Sequence, residues 1–415
     1  MKKSYLLGAL GLLAMASCSQ DETIGINHDG DEITFNVVTN SATRAADVYC
    51  NQNLPGGFYV SAISDGKTYI DKDHVTGSNG SWTNQSGTRY WPETPVDFYA
   101  HVNGEASYTW SVNEGKATAK FENFQVSKDV AKQVDLLYAV KTGQKKADGK
   151  VNLNFRHALS QIVFQAKNTN ANLYVEIAGV SVANVGGTNT FTFPLADTEK
   201  NIVDHDGNAD GVYEDGEFGS GISYDGSWGT WATLTPGTEE YDTEKYDVDF
   251  DKTPVRGNNT LVALTTANET DKEYNSKAML LLPQKTTAWD PETNPLPGAT
   301  GNTGSYLLVD CAIFNVAGDE YANSDVCLWG KPQGSGWTTK ELAIPVAFDW
   351  QQGKKYVYTL VFGEGNGGYD PDPDPDPDPE DPDPVLVPIT FEIFVDDFEL
   401  VDGGEIESGI PGEGA

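Results

Sequence analysis

The segment Ile389-Thr390-Phe391-Glu392-Ile393-Phe394-Val395, near the C-terminus, almost repeats Ile33-Thr34-Phe35-Asn36-Val37-Val38 from near the N-terminus. In both copies aliphatic and aromatic residues alternate with Thr and a polar residue, the period-2 pattern of a strand with one buried face. Ile33, Phe35 and Val37 therefore suit the same kind of slot as Ile389, Phe391 and Ile393, with Val395 extending the second copy. A compact domain offers one place for such a strand, so the chain carries two candidates for it.

Between the two copies the pattern is of strands separated by Gly, Asn, Asp and Pro. Phe58 to Val60, Val96 to Val102, Val134 to Val140, Val151 to Phe155, Ala158 to Ala166 and Leu173 to Ile177 form a first group. Thr190 to Phe193, Thr230 to Leu234, Thr260 to Leu264, Ala278 to Leu282, Tyr306 to Phe314, Leu342 to Phe348 and Tyr356 to Phe362 form a second. Only Ser127 to Gln133 reads as briefly helical. Such spacing predicts an all-β chain of antiparallel β-sandwiches, with a boundary near Gly186 separating domains at 31–185 and 186–363. From Asp370 to Pro384 Asp and Pro almost alternate. Proline fixes φ and the carboxylates repel one another, so Asp370 to Pro384, within a linker at 364–388, reads as an extended spacer of about 3.1 Å per residue, roughly 45 Å in all. The repeated strand and a tail occupy 389–415.

Upstream of the first strand, Lys2 and Lys3 precede an apolar run from Tyr5 to Met15 and then Ala16-Ser17-Cys18. This is a signal peptide over 1–17, too short to span a membrane and stay. The cleavage region resembles the lipobox of bacterial lipoproteins, in which the Cys, here Cys18, is acylated and becomes the new N-terminus of a lipidated leader at 18–30. Several acyl chains on one residue give stable anchoring. Asp21 and Glu22 resemble the acidic signal that sends some lipoproteins of Gram-negative anaerobes to the outer face of the outer membrane. After the strand at 32–38, Thr39 to Ala46 is small and polar apart from Arg44, the only Lys or Arg between Lys3 and Lys67. A basic-specific protease thus has one obvious target in an exposed loop, leaving Ala45 as the new N-terminus.

With 27 Lys+Arg against 62 Asp+Glu, the formal net charge is -35, a surface that repels nucleic acid and anionic lipid. The five His residues form no zinc spacing, and nucleophile elbow, P-loop and dinucleotide fingerprint are missing, so no enzyme and no cofactor are expected. His157 reads as a hydrogen-bonded structural residue. Asp206-Gly207-Asn208-Ala209-Asp210-Gly211 followed by Glu217 fits the spacing of a calcium loop, with the Val212 carbonyl completing the ligands Asp206, Asn208, Asp210 and Glu217. A solvated insertion rich in Asp and Gly has the same composition. Beyond Cys18 stand Cys50, Cys311 and Cys327; Cys311 with Cys327 is one pairing, and reduced thiols are the other reading.

Val134-Asp135-Leu136-Leu137-Tyr138-Ala139 and Leu153-Asn154-Phe155-Arg156-His157-Ala158-Leu159-Ser160-Gln161-Ile162 resemble the fimbrillin family, the subunits of protease-assembled (type V) pili of Gram-negative anaerobes. The resemblance implies two transthyretin-like β-sandwich domains, export as a lipoprotein, and cutting after an Arg behind the first strand, a position that Arg44 occupies. It implies removal of that strand (Ile33, Phe35, Val37) and its replacement by a strand from another subunit. The long Asp-Pro spacer leaves two readings for the repeat (Ile389, Phe391, Ile393, Val395), a donor strand that reaches a neighbour or a strand that folds back on the second domain. The expected partners are other pilin subunits, an arginine-specific processing protease and, before cleavage, the outer membrane; the expected location is the cell-surface fimbrium. A second reading is a monomeric surface lipoprotein that binds glycans, suggested by 9 Trp and 11% aromatic residues.

Overall fold

The structure, a computed structural model, describes residues 32–39, 54, 56–78, 81–198, 228–235, 243–265, 278–291, 293, 303–318, 321–322, 324–363, 367–371, 384–385 and 389–397. Among these the chain is all-β, its helical pieces being two three-residue 3-10 turns, Val130–Lys132 and Lys146–Asp148. Asp129 caps the first by accepting from the Ala131 N–H, which is the short helical signal of the sequence.

A seven-stranded sheet runs in the order Phe35–Thr39, Val151–His157, Leu137–Gln144, Val96–Val102, Phe58–Ser64, Lys67–Ser78, Ser81–Asn84. It curls until its two end strands approach each other, and Glu32 bridges Tyr90 just past the far end. Its concave face holds Phe35, Phe58, Phe98, Phe155 and Trp82. Because strand side chains alternate, Tyr99, Tyr138 and Val140 point the other way, into a second core. There they meet a four-stranded sheet of Thr230–Trp231, Thr188–Thr192, Lys116–Gln125 and Tyr108–Asn113. Central strands buried on both faces explain why Leu136 to Val140 reads as an unbroken apolar run.

The second half has a sheet of Val262–Ala263, Ser160–Asn168, Lys354–Phe362 and Ile389–Asp397, with Met279–Leu281 also on Ser160–Asn168. Facing it is a sheet of Thr243–Arg256, Leu173–Gly186, Tyr306–Asn315, Lys340–Pro345, Gly368–Tyr369 and Pro384–Val385, with Val326–Trp329 beside Tyr306–Asn315. A boundary near Gly186 does not match this hydrogen bonding. Ser160–Asn168 and Leu173–Gly186 pair only with strands that follow residue 240, while Thr188–Thr192 returns to the first half. The chain passes from half to half twice without a linker, at Ala158-Leu159 and at Gly187, and one apolar core runs through both, from Phe121 and Phe191 to Val175 and Leu360. Polar contacts tie the junction: Tyr138 Oη donates to Gln352 Oε1 at 3.1 Å, the Gln352 amide to the Gly229 carbonyl at 2.8 Å, and Trp231 Nε1 to the Ala158 carbonyl at 2.6 Å.

Most pairings are antiparallel; two are parallel, Phe35–Thr39 on Val151–His157 and Ser160–Asn168 on Lys354–Phe362. Two hairpins turn on two-residue loops with both residues left-handed, Asp65-Gly66 (φ 49° and 70°) and Glu114-Gly115 (φ 51° and 76°), as the right-handed strand twist requires. A Cβ on Gly66 would lie 3.1 Å from the Gly115 Cα, so the two turns abut.

His101 is 1% exposed, stacked on Tyr108 (centroids 4.0 Å) and Tyr59 (5.4 Å), and its Nδ1–H donates to the Asn103 carbonyl at 2.8 Å. Burial, with the Lys72 ammonium adding repulsion, lowers its pKa to about 4 from 6.5. The unfolded chain then takes up this proton first, so this contribution to stability is complete above about pH 6.5 and lost as pH falls toward 4, at most about 3 kcal/mol. The urea midpoint is expected to drop between pH 6.5 and 4.5, and His101→Phe to flatten that drop; an unchanged slope would remove His101 as its source.

Candidate functional site

The candidate site consists of two strand slots, one in each half. In the first, Ile33, Phe35 and Val37 are 5%, 2% and 8% exposed, so the period-2 reading of their burial is correct. Phe35 stands edge-on to Phe58 at 5.5 Å and to Phe98 at 5.8 Å. Its strand lies in parallel register on Val151–His157, Phe35 across from Val151 and Thr39 across from Phe155. The Ile33 N–H donates to the Arg89 carbonyl at 2.7 Å, so the entry to the strand is held from the opposite edge as well. On the solvent side Asn36 Nδ2 donates to Asn152 Oδ1 at 3.0 Å. Arg89 is itself held by Asp73 at 2.6 Å.

The strength of this seating follows from its size. Burying three such side chains contributes roughly 5–9 kcal/mol. Ordering five strand residues costs about 1–2 kcal/mol each, a comparable sum. The first strand is therefore held largely because it is tied to the chain, which keeps its local concentration in the millimolar range.

In the second slot Ile389–Asp397 is antiparallel to Lys354–Phe362, with Ile389 across from Phe362 and Asp397 across from Lys354. Ile389 is 2% exposed and joins the main core. In register, Phe391, Ile393 and Val395 stand opposite Leu360, Tyr358 and Tyr356, and these last three are buried. Within the single chain the second copy of the strand thus lies on its own second half, and its orientation relative to its partner is opposite to that of the first copy. Sequence reasoning missed this difference, and also the Arg89-Tyr90 edge, because neither is marked by any local pattern.

Cys18, Arg44, Ala45, Cys50 and the calcium-loop residues Asp206, Asn208, Asp210, Val212 and Glu217 lie outside the described residues. Among the described residues no group of three His, Cys, Asp or Glu side chains could hold a metal ion. Cys311 and Cys327 are free thiols. Cys311 faces the main core, whereas Cys327 packs with Phe314 and Tyr321 on the other side of the sheet, so the pairing of the two is excluded by the pleat. His157 Nδ1 meets the buried Asp135 carboxylate at 2.9 Å, the hydrogen-bonded structural role read from sequence. The tryptophans are packing residues: Trp82, Trp91, Trp289, Trp329 and Trp350 are buried, Trp110, Trp228 and Trp231 half-buried, and only Trp337 is exposed. Five of the nine are thus accounted for by the cores.

The fimbrillin-like family profile matches residues 28–370. Among solved structures, a fimbrial protein from Bacteroides vulgatus superposes with a TM-score of 0.50 at 15% identity, over 89% of this chain and 100% of that one. A candidate cell adhesion protein from Bacteroides uniformis gives a TM-score of 0.38 at 13% identity, over 90% and 99% of the two chains. Another from Parabacteroides distasonis gives 0.41 at 10% identity, over 89% and 100%. No curated protein matches the chain. The stretch matched by the family takes in the first strand, every described strand up to Gly368–Tyr369 and the root of the Asp-Pro segment, and on that extent the chain belongs to the fimbrillin-like family.

Proposed function

We propose that the protein is a non-catalytic structural subunit of surface fimbriae used in adhesion, and that it polymerises by protease-activated donor-strand exchange. The observation that carries this reading is the first slot. It is filled by a strand whose burial is close to its ordering cost, and the chain repeats that strand at its other end. An arginine-specific protease cuts after Arg44, the covalent tie is lost, and Ile33, Phe35 and Val37 leave. The groove between Val151–His157 and the Arg89-Tyr90 edge then takes Ile389, Phe391, Ile393 and Val395 of a neighbouring subunit, by strand addition.

The direction of exchange follows from composition. In the repeat, Ile393 stands where the first copy has Val37, and Val395 where it has Thr39. One extra methylene is worth about 0.8 kcal/mol and an added buried Val about 1.5 kcal/mol or more, so the incoming strand outbids the departing one by roughly 2–3 kcal/mol. On unboiled gels of protease-treated protein, Phe391→Glu is expected to abolish the ladder of oligomers, because it sets a charge against Phe58 and Phe98, while Glu392→Lys leaves it intact. A normal ladder from Phe391→Glu would refute the donor role.

Before the cut, acylated Cys18 anchors the precursor to the outer membrane. Cys18→Ala is expected to abolish incorporation of labelled fatty acid and to release the precursor in soluble form; undiminished labelling would refute the anchor.

A further inference from the structure

Lys354–Phe362 has a neighbour on each side, Ser160–Asn168 in parallel and Ile389–Asp397 antiparallel, the latter nine residues against nine. The first neighbour is built into the core, but the second is reached only through the Asp-Pro segment. That segment begins and ends at one place. Tyr369 lies across from Pro384 and Gly368 across from Val385, in a short ladder on the edge of the other sheet. Its root is firmly held: Asp370 pairs with Lys340, whose ammonium lies 4.6 Å over the Trp329 ring, and Tyr369 packs edge-on to Trp289 at 5.5 Å.

The composition of the segment opposes this closure. Between the two rungs, positions 370–383 hold only Pro, Asp and Glu. A polyproline-like chain of that length prefers to span roughly 40 Å, and its carboxylates repel one another, while adjacent strands stand about 5 Å apart. The ladder between Lys354–Phe362 and Ile389–Asp397 is the same whether the two strands come from one chain or from two. The connecting segment alone decides between these arrangements, and a stiff, self-repelling one lowers the local concentration of the strand at its own edge.

We propose that the Lys354–Phe362 edge is an acceptor for Ile389–Asp397 of a second copy of this chain, so that uncut copies exchange C-terminal strands reciprocally and form closed pairs. This contact needs no cut after Arg44 and leaves the first slot occupied. It holds copies side by side before processing, and because it uses the strand that the donor role uses, the pair must open before that strand enters a vacated groove.

The test uses the full secreted chain with Cys18→Ala and Arg44→Ala, and with Ser at positions 50, 311 and 327. One batch carries Thr359→Cys and another Glu392→Cys, positions that face each other in the ladder. Mixed at tens of micromolar in low salt and oxidised, they are expected to give a mixed disulfide dimer well above that from either batch alone. The yield should fall several-fold in 0.5 M NaCl, which screens the carboxylates, and several-fold when the prolines between 371 and 382 are replaced by Gly. A single chain carrying both cysteines reports on the ladder itself. If that chain closes its disulfide internally and the mixture gives no dimer, exchange is overturned; if neither forms, the ladder is wrong and exchange falls with it. Failure here leaves the groove reading untouched, because the chain is uncut, whereas failure of that reading appears in the ladder of Phe391→Glu after cutting.

Discussion

Arg44→Ala is expected to abolish the oligomer ladder altogether, leaving chains that still carry their first strand and associate no further than closed pairs. The size of the effect comes from the balance in the first slot. While the strand is tied, its release must overcome both its burial and the millimolar local concentration that the covalent link provides. Cutting removes the second term alone, and the remaining burial of Ile33, Phe35 and Val37 is close to the cost of ordering. The absence of any other Lys or Arg between Lys3 and Lys67 means that no neighbouring basic site can substitute. The measurement is unboiled gel analysis with N-terminal sequencing of surface protein. Ala45 at the terminus of wild type, with no cut in the variant, supports the reading; a normal ladder from Arg44→Ala overturns it.

Phe35→Ala is expected to destabilise the uncut chain by about 3–5 kcal/mol, the range for emptying a buried Phe site. Phe35 is 2% exposed and edge-on to two rings, Phe58 at 5.5 Å and Phe98 at 5.8 Å, so little of the cavity can collapse. Urea unfolding of the uncut chain reads this loss directly. The same substitution is expected to have no effect on assembled subunits, since the strand that bears it has been discarded. Phe391→Ala should behave the other way, weakening the polymer and leaving the first half of the uncut chain unchanged. Equal effects of Phe35→Ala before and after assembly would mean that the first strand stays.

Much of the fold was legible because strand signals are local. Val96–Val102 is recognisable from its own seven residues. Strands were missed, and not only where the local signal is weak. Lys116–Gln125 buries Ala117 and Ala119, which carry little hydrophobic contrast; Thr243–Arg256 was missed although Tyr246, Val248 and Phe250 alternate with charged residues in the period-2 pattern of a strand. The boundary near Gly186 failed for another reason: a strand that crosses between halves without a linker leaves no compositional mark.

By itself, then, the sequence determined that the chain is all-β, that one strand is written twice, that Ile33, Phe35 and Val37 form a buried face, and that Arg44 is the one basic residue between them and Lys67. These depend on side-chain alternation and turn chemistry, which neighbours along the chain settle among themselves. Tertiary structure alone decided that the first strand runs parallel to Val151–His157, that Ile389–Asp397 runs antiparallel to Lys354–Phe362, and that Cys311 and Cys327 sit on opposite faces of one sheet. Every strand edge offers the same backbone donors and acceptors, so the choice of partner and direction rests on which apolar faces can be buried together, a question posed only when residues distant along the chain meet.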